Sequence, residues 1–542
     1  MSVCIFISML YFRNLIFDGK RMNTFSLSDA SNNYLSRISV IGVFLVLVFG
    51  MTVFPIFDNQ EAINALAAMN LLNEGSWIAP EGIGYPPFNI WILALSQKFF
   101  GINEFALRFP AAIFMWMTFL TLFFHVNRFD RQLGLATLVV FASNIAVGII
   151  GNVGLHYSPL IFFMTTMVVG VQRYLIYEQP GWLVLIGFML SSALLTEGPA
   201  VLIYVILLFV LLILFFPKGK WLLKPRVWLT LIIATLPLIY WMYLAEKASP
   251  GYVMQFVEEN GYIWTFTNSL SLPFFSHWEI LVLIFAFLPF VVFIPRALVR
   301  TITVFMRKGA PKQFFAIWAI SAWLPYIILG GKLAWLSMLS FPAFSVIIGS
   351  LVLDWSRQVK KFPRLFAPLV QAAILAVALI IAVSTSMYLM KPGSWYYIFI
   401  PGIMLVIGGV LIIWRMEKIN ARDKFRRWLL YGLVGSLTFW VAAPHAFRHH
   451  WGVVKYMTKS MKKYDMVYVS RAELERHPSL EVYLHKYMKD RFMVLETLEA
   501  PMPPSDMKAA YIFPLDVKHS SIVFTGKISG GIGEVAYGIK EL

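Results

Sequence analysis

The chain has 542 residues, 59% of them hydrophobic and only 13% charged, with a mean hydropathy of +0.72. A soluble domain averages about 45–50% apolar and about 25% charged residues, so a soluble enzyme is excluded. Windows longer than the ~18 apolar residues needed to cross a bilayer recur along the chain. They are continuous rather than alternating, which excludes an outer-membrane barrel. The fold class is a polytopic α-helical membrane protein. The formal charge of +17 invites a nucleic-acid reading. The cations sit between spans and on alternate loops, however, and that is a topology signal. No nucleic-acid partner is expected. Cys4 is the sole cysteine, so an intramolecular disulfide and a cysteine metal site are excluded.

Residues 1–37 form an N-terminal segment with Arg13, Lys20, Arg21 and Arg37. It has an apolar stretch from Met1 to Phe17 without a convincing small-residue cleavage site, and Met22 offers a second start. About thirteen spans follow: 38–56, 107–126, 132–150, 156–172, 182–196, 199–216, 227–244, 279–296, 313–330, 335–353, 366–388, 396–414 and 427–444. The block at 182–216 is interrupted by Thr196-Glu197-Gly198-Pro199. Lys/Arg-rich loops, such as the one carrying Arg296, Arg300, Arg307, Lys308 and Lys312, alternate with poor ones that hold only Lys98, Lys247, Lys332 and Lys391. Excess Lys/Arg marks the cytoplasmic side, so the N-terminus is expected inside. An odd span count puts residues 446–542 outside.

The membrane domain is expected over 38–445, with a long first outer loop at 57–106. That loop should hold a helix near 61–73 and an amphipathic stretch from Phe88 to Phe100, both lying flat at the interface. A second outer loop, 245–277, carries Glu246, Glu258, Glu259 and many aromatics. After Pro444 the composition turns polar. Val467–Val469, Tyr511–Phe513, Ser521–Thr525 and Val535–Ile539 read as strands and Leu480–Tyr487 as a helix, enough for a small C-terminal α/β domain. The glycine-rich stretch Gly526–Gly533 reads as the connection between the last two strands.

Several polar residues stand out in so apolar a chain. Asp58, at the end of the first span, is placed to act as a general base toward an acceptor hydroxyl. On spacing alone, a solvated loop acid or N-cap outweighs that reading. Glu61 lies one helical turn on. The two acids can face one cleft or hold a divalent ion, although two acids alone are thin grounds for a metal. Lys332, after Gly330-Gly331, can neutralise a lipid phosphate or simply snorkel from a helix end. Arg108, before Phe109-Pro110, has the same two readings. His156-Tyr157 is either an interfacial aromatic pair or part of a site lining. His445, His449 and His450 resemble a metal cluster that lacks a second shell, and no metal site is assigned to them.

A set of motifs runs in order along the chain. They are Asp58 to Met69; Gly75-Ser76-Trp77-Ile78-Ala79-Pro80; Pro86-Pro87; Trp91; Phe99-Phe100-Gly101; Asn103 to Pro110; Leu195-Thr196-Glu197-Gly198-Pro199; and Lys332-Leu333 followed by Pro342. With these motifs the chain resembles bacterial lipid-linked-sugar glycosyltransferases of the C-type fold, over roughly residues 38–350. The similar subfamilies are the aminoarabinose (lipid A) transferases and the dolichyl-phosphate-mannose protein mannosyltransferases. The resemblance implies transfer of a sugar from a polyprenyl-phosphate donor to a lipid, glycan or protein acceptor at the outer face of a bacterial inner membrane. It implies Asp58 as the base, Lys332 and Arg108 on the donor phosphate, and Glu61, Tyr85, His156, Tyr157 and Glu197 lining the site. No resident cofactor is implied beyond the open question of a divalent metal.

The chain also departs from the family pattern. Asn59 replaces an acid, Tyr85-Pro86-Pro87 shortens a longer motif that carries a Glu and a Lys, Tyr157 stands where an Asp is common, and Glu197 replaces a Lys. Two rival readings remain. One is a lipid or glycan transporter or polymerase, against which no inverted pair of broken helices is visible. The other is a catalytically degenerate scaffold.

Overall fold

The structure, a computed structural model, describes residues 47, 51, 55–57, 60–73, 76–80, 85–259, 286–287, 290–310, 312–328, 334–357, 425–428, 432, 453–496, 508–513, 524–530 and 533–540. Asp58, Asn59, Lys332, His445, His449 and His450 lie outside them, as do most of the spans expected at 38–56, 366–388, 396–414 and 427–444.

The described part is mainly a helical bundle. Its elements are α1 (Gln60–Asn73), α2 (Phe88–Phe100), α3 (Glu104–Asn127), α4 (Arg131–Ala142), α5 (Ile145–Gly151), α6 (Tyr157–Tyr177), α7 (Gly181–Glu197), α8 (Ala200–Phe215) and α9 (Pro225–Ala248), then α10 (Tyr252–Glu259), α11 (Ile294–Phe305), α12 (Gln313–Ile328) and α13 (Phe341–Ser356). Among the described residues, four helical segments are long and apolar enough to cross a membrane: α3, α6, α9 and Trp335–Ser356, which joins a 3-10 turn to α13. They become five if the bent pair α4–α5 counts as one span. Polar caps set the helix ends. Asn103 Oδ1 accepts from Ala106 N at 2.8 Å and starts α3, and Asp130 Oδ1 accepts from Gln132 N at 2.8 Å and starts α4.

Three expectations change. The span expected at 132–150 is two helices bent by 70°, because Asn144 interrupts it and caps α5 by accepting from Val147 N at 3.0 Å. The expected span 279–296 is described in part, and within it a 3-10 turn, Phe290–Phe293, leads into α11, which begins at Ile294 and runs on to Phe305. And α1 does not lie flat at a surface. Ala62, Ala65, Ala68, Met69 and Leu71 are all buried, and so are Glu61 and Asn64. The run of small alanines lets α1 pack closely on several sides at once. One of those sides is the C-terminal unit, since Val454, Met457 and Tyr483 share a core cluster with α1. The break at 196–199 is as the sequence suggests. α7 ends at Gly198 (φ +99°), a conformation that favours glycine, and Pro199 opens α8.

The C-terminal unit contains α14 (Val453–Ser460), α15 (Arg471–Arg476), α16 (Pro478–Tyr487) and strands β1 (Met466–Ser470), β2 (Phe492–Leu495), β3 (Ala509–Phe513), β4 (Phe524–Gly530) and β5 (Gly533–Lys540). The sheet order is β2-β1-β3-β5-β4, parallel across the first three strands and antiparallel at β3–β5 and β5–β4. The four-residue β2 has no alternating pattern to announce it. The glycine-rich stretch read as a connection is largely strand: it lies in the β4–β5 hairpin, which turns between Gly530 and Gly533.

One carboxylate ties this unit to the bundle. Glu104 pairs with Lys455 (2.6 Å) and with Lys486, and Tyr483 Oη donates to it at 3.1 Å while accepting from Ile56 N at 2.7 Å.

Candidate active site

The turn between α5 and α6 carries Gly154, and it closes on α1. A Cβ on Gly154 would lie 2.7 Å from Leu107, so only glycine permits the approach. Its N–H donates to Glu61 Oε1 at 2.9 Å, and its carbonyl accepts from Asn64 Nδ2 at 3.0 Å.

Glu61 and Arg108 form a bidentate pair, Nε–Oε1 at 2.7 Å and Nη2–Oε2 at 2.8 Å. Both are buried, Arg108 at 0% exposure and Glu61 at 2%. The remaining valences are filled. Arg108 also donates to the carbonyls of Met51 (3.1 Å) and Pro55 (2.7 Å), and Glu61 Oε2 accepts from Phe57 N at 2.8 Å. A buried charge pair is tolerable only when its other lone pairs and protons are satisfied in this way. Arg108, expected on a donor phosphate, spends its guanidinium on Glu61 and on the carbonyls of Met51 and Pro55. Arg108 and Glu61 together hold residues 55–57, the segment that leads into Asp58.

A second constellation lies beside the first. Tyr85, His156, Tyr157 and Glu197 come from three separate stretches of sequence. The His156 ring is 4.3 Å from that of Tyr85 and 4.2 Å from that of Tyr157, centroid to centroid. His156 Nε2 lies 2.7 Å from Glu197 Oε2, with each residue 6% exposed. A proton on Nε2 would face that carboxylate and would leave Nδ1 as an acceptor. Nδ1 has no hydrogen-bond partner among the described residues. Tyr85 Oη donates to Asn64 Oδ1, and burial pushes its phenol well above the ordinary range, so it remains a donor.

The two family departures at Tyr157 and Glu197 therefore meet in space. Sequence reasoning singled out these four residues but missed Asn64 and Asn89. Asn64 joins the two constellations through Tyr85 and Gly154. Asn89 is 3% exposed, and its Nδ2 has no partner among the described residues. The available signal was an asparagine among apolar residues in each of two short helices.

The segment from α9 into α10 also reaches this region. Trp241 Nε1 donates to Ile78 O at 2.7 Å and Tyr252 Oη to Pro80 O at 3.0 Å, so the end of α9 and the start of α10 brace the turn at 76–80. Among the described residues, no group of three His, Cys, Asp or Glu side chains is placed to hold a metal ion. What the arrangement offers is a close carboxylate–imidazole pair flanked by two tyrosine rings.

A family profile described as dolichyl-phosphate-mannose-protein mannosyltransferase matches residues 85–243. A protein of unassigned function from Aquifex aeolicus is 26% identical over 326 residues, which is 58% of this chain and 72% of that protein. Two crystal structures of ArnT from Cupriavidus metallidurans superpose along nearly the whole chain. The structure bound to undecaprenyl phosphate has a TM-score of 0.72 and covers 93% of this chain and 98% of ArnT. The apo structure has a TM-score of 0.70 and covers 94% and 98%. Sequence identity is 14% in both. The chain has the fold of ArnT and resembles the C-type glycosyltransferases.

Proposed function

On the premise of that shared fold, we propose that the chain is an inverting membrane glycosyltransferase. It moves one sugar from a polyprenyl-phosphate donor to an envelope acceptor: lipid A, another glycan or a protein. The observation that carries this reading is the likeness, over 93% of the chain, to a structure holding undecaprenyl phosphate. The reaction takes place at the periplasmic face of a bacterial inner membrane, with residues 1–37 cytoplasmic, the membrane domain at 38–445 and residues 446–542 forming a periplasmic domain. Reporter fusions test this orientation. One at Lys308 reads cytoplasmic and one after Leu542 reads periplasmic; a cytoplasmic C-terminus overturns it.

Asp58 takes the proton from the acceptor hydroxyl as the sugar–phosphate bond breaks. The leaving group is a phosphate ester, so charge stabilisation matters more than acid help. Lys332 supplies it. Glu61 and Arg108 position the segment before Asp58. His156 Nδ1, with Glu197 fixing the tautomer, accepts a hydrogen bond from a substrate hydroxyl between the rings of Tyr85 and Tyr157.

The test is sugar transfer in membranes supplied with polyprenyl-phosphate sugar, at matched protein levels. Asp58→Asn lowers transfer by ~10²–10⁴-fold. Lys332→Ala weakens donor binding by about tenfold or more, the loss of one charge-assisted contact. A second reading is favoured by the buried Nδ1, which has no partner among the described residues: His156 itself is the base. Unchanged transfer in Asp58→Asn with a collapse in His156→Gln selects it. Unchanged transfer in both removes the enzymatic reading.

A further inference from the structure

Residues 55–57 lead into Asp58, and each of them is gripped by a side chain. Pro55 O accepts from Arg108 Nη2 at 2.7 Å, and Phe57 N donates to Glu61 Oε2 at 2.8 Å. The Arg108 guanidinium also stands over the Phe57 ring, 5.3 Å from its centroid. The grip on the middle residue comes from far along the chain. Ile56 N donates to Tyr483 Oη at 2.7 Å, across 427 residues of sequence. Tyr483 belongs to α16, in the C-terminal unit.

This contact is buried and its direction is fixed. Ile56 is 2% exposed and Tyr483 is 0%, so water is a poor substitute for either partner. The phenol has one proton and donates it to Glu104 Oε1 at 3.1 Å. Burial, and after it the Glu104 carboxylate, push Tyr483 well above the ordinary phenol range, so the proton stays on Oη. What Oη offers Ile56 is therefore a lone pair. Glu104 is held in turn by Lys455 at 2.6 Å and by Lys486, both from the C-terminal unit. The Tyr483 ring stacks on that of Tyr487, with centroids 6.0 Å and planes 8° apart, which limits how far Oη can swing.

We infer that Tyr483 is a positioning residue of the candidate site: through its hydroxyl the C-terminal unit holds Ile56 and so sets where Asp58 presents its carboxylate. Tyr483 acts through the backbone of residues 55–57 and touches no substrate. The consequence for transfer rests on the glycosyltransferase reading, whereas the contact itself is measured without activity. Loss of the hydroxyl frees the segment, and a displacement of ~1 Å at a catalytic group can cost ~10²-fold in rate.

The test is Tyr483→Phe in the full-length chain, which keeps the ring and its stacking and removes the oxygen. Hydrogen exchange read by mass spectrometry in detergent reports the contact. The peptide containing Ile56 is protected in wild type and exchanges about tenfold faster in Tyr483→Phe, while α1 is unchanged. Sugar transfer in membranes reports the consequence: kcat per folded molecule falls about tenfold or more, and KM for the polyprenyl-phosphate sugar stays within about twofold. A lower thermal midpoint with kcat per folded molecule unchanged makes the hydroxyl purely structural and overturns the proposal. So does an unprotected Ile56 amide in wild type, a measurement that stands even if Tyr483→Phe does not fold. The two readings fail separately. Transfer lost in Asp58→Asn but kept in Tyr483→Phe sinks the positioning role alone. Transfer kept in Asp58→Asn but lost in Tyr483→Phe sinks the base assignment and with it the link from Tyr483 to Asp58.

Discussion

Two buried acid–base pairs sit side by side in this molecule, and they are not alike. In the Glu61–Arg108 pair, both carboxylate oxygens and all three guanidinium nitrogens have partners within the protein. In the Glu197–His156 pair, the imidazole keeps a ring nitrogen with no partner among the described residues, between two tyrosines. The lesson is that burial and charge do not by themselves mark chemistry. A saturated pair holds backbone in place. A pair with an acceptor left over has something to offer a substrate. The polar inventory of a membrane protein is divided by what each group has left to give.

The contrast is broken hardest at Arg108. Arg108→Met leaves Glu61 buried without its partner, and the expected cost is ~3–5 kcal/mol. The check is the thermal midpoint and yield of detergent-solubilised protein, with the double variant Glu61→Leu/Arg108→Met recovering much of the loss. A stable single variant would mean the pair is not structural.

Glu104 is the next largest. Its carboxylate meets Lys455, Lys486 and Tyr483, and Glu104→Ala is expected to cost about 1–3 kcal/mol, the lysines being partly exposed. Because the loss falls on the docking of the C-terminal unit, limited proteolysis should cut between bundle and sheet sooner than in wild type. An unchanged digestion pattern argues that apolar contacts to α1 hold the unit alone.

The smallest effect on folding, and the most telling about function, is at the second pair. Glu197→Gln keeps the size but removes the negative charge 2.7 Å from His156 Nε2. The midpoint should move little while transfer falls about tenfold. If instead the midpoint falls as far as in Arg108→Met and transfer per folded molecule is unchanged, the two pairs are the same kind of device and the comparison fails.

The amino-acid sequence by itself determined the membrane class, the alternation of basic loops, the break at Thr196–Pro199 and strands at Val467–Val469 and Tyr511–Phe513, each a part of the strand the structure shows. These are local: hydropathy over a bilayer thickness, a Gly-Pro stop, β-branched and aromatic runs. It also picked out Glu61, Tyr85, Arg108, His156, Tyr157 and Glu197 as polar residues in an apolar chain. It could not say which of them were partners. Glu61 meets Arg108 across 47 residues of chain, and Glu104 meets Tyr483 across 379. Such contacts leave no periodicity in either segment. The burial of α1 and the bend at Asn144 are likewise invisible locally, because each depends on which helix lies against which. Whether a buried charge is spent on the fold or kept for a ligand depends on how many of its hydrogen-bonding valences the surrounding chain fills, and only the packed tertiary structure fixes that count.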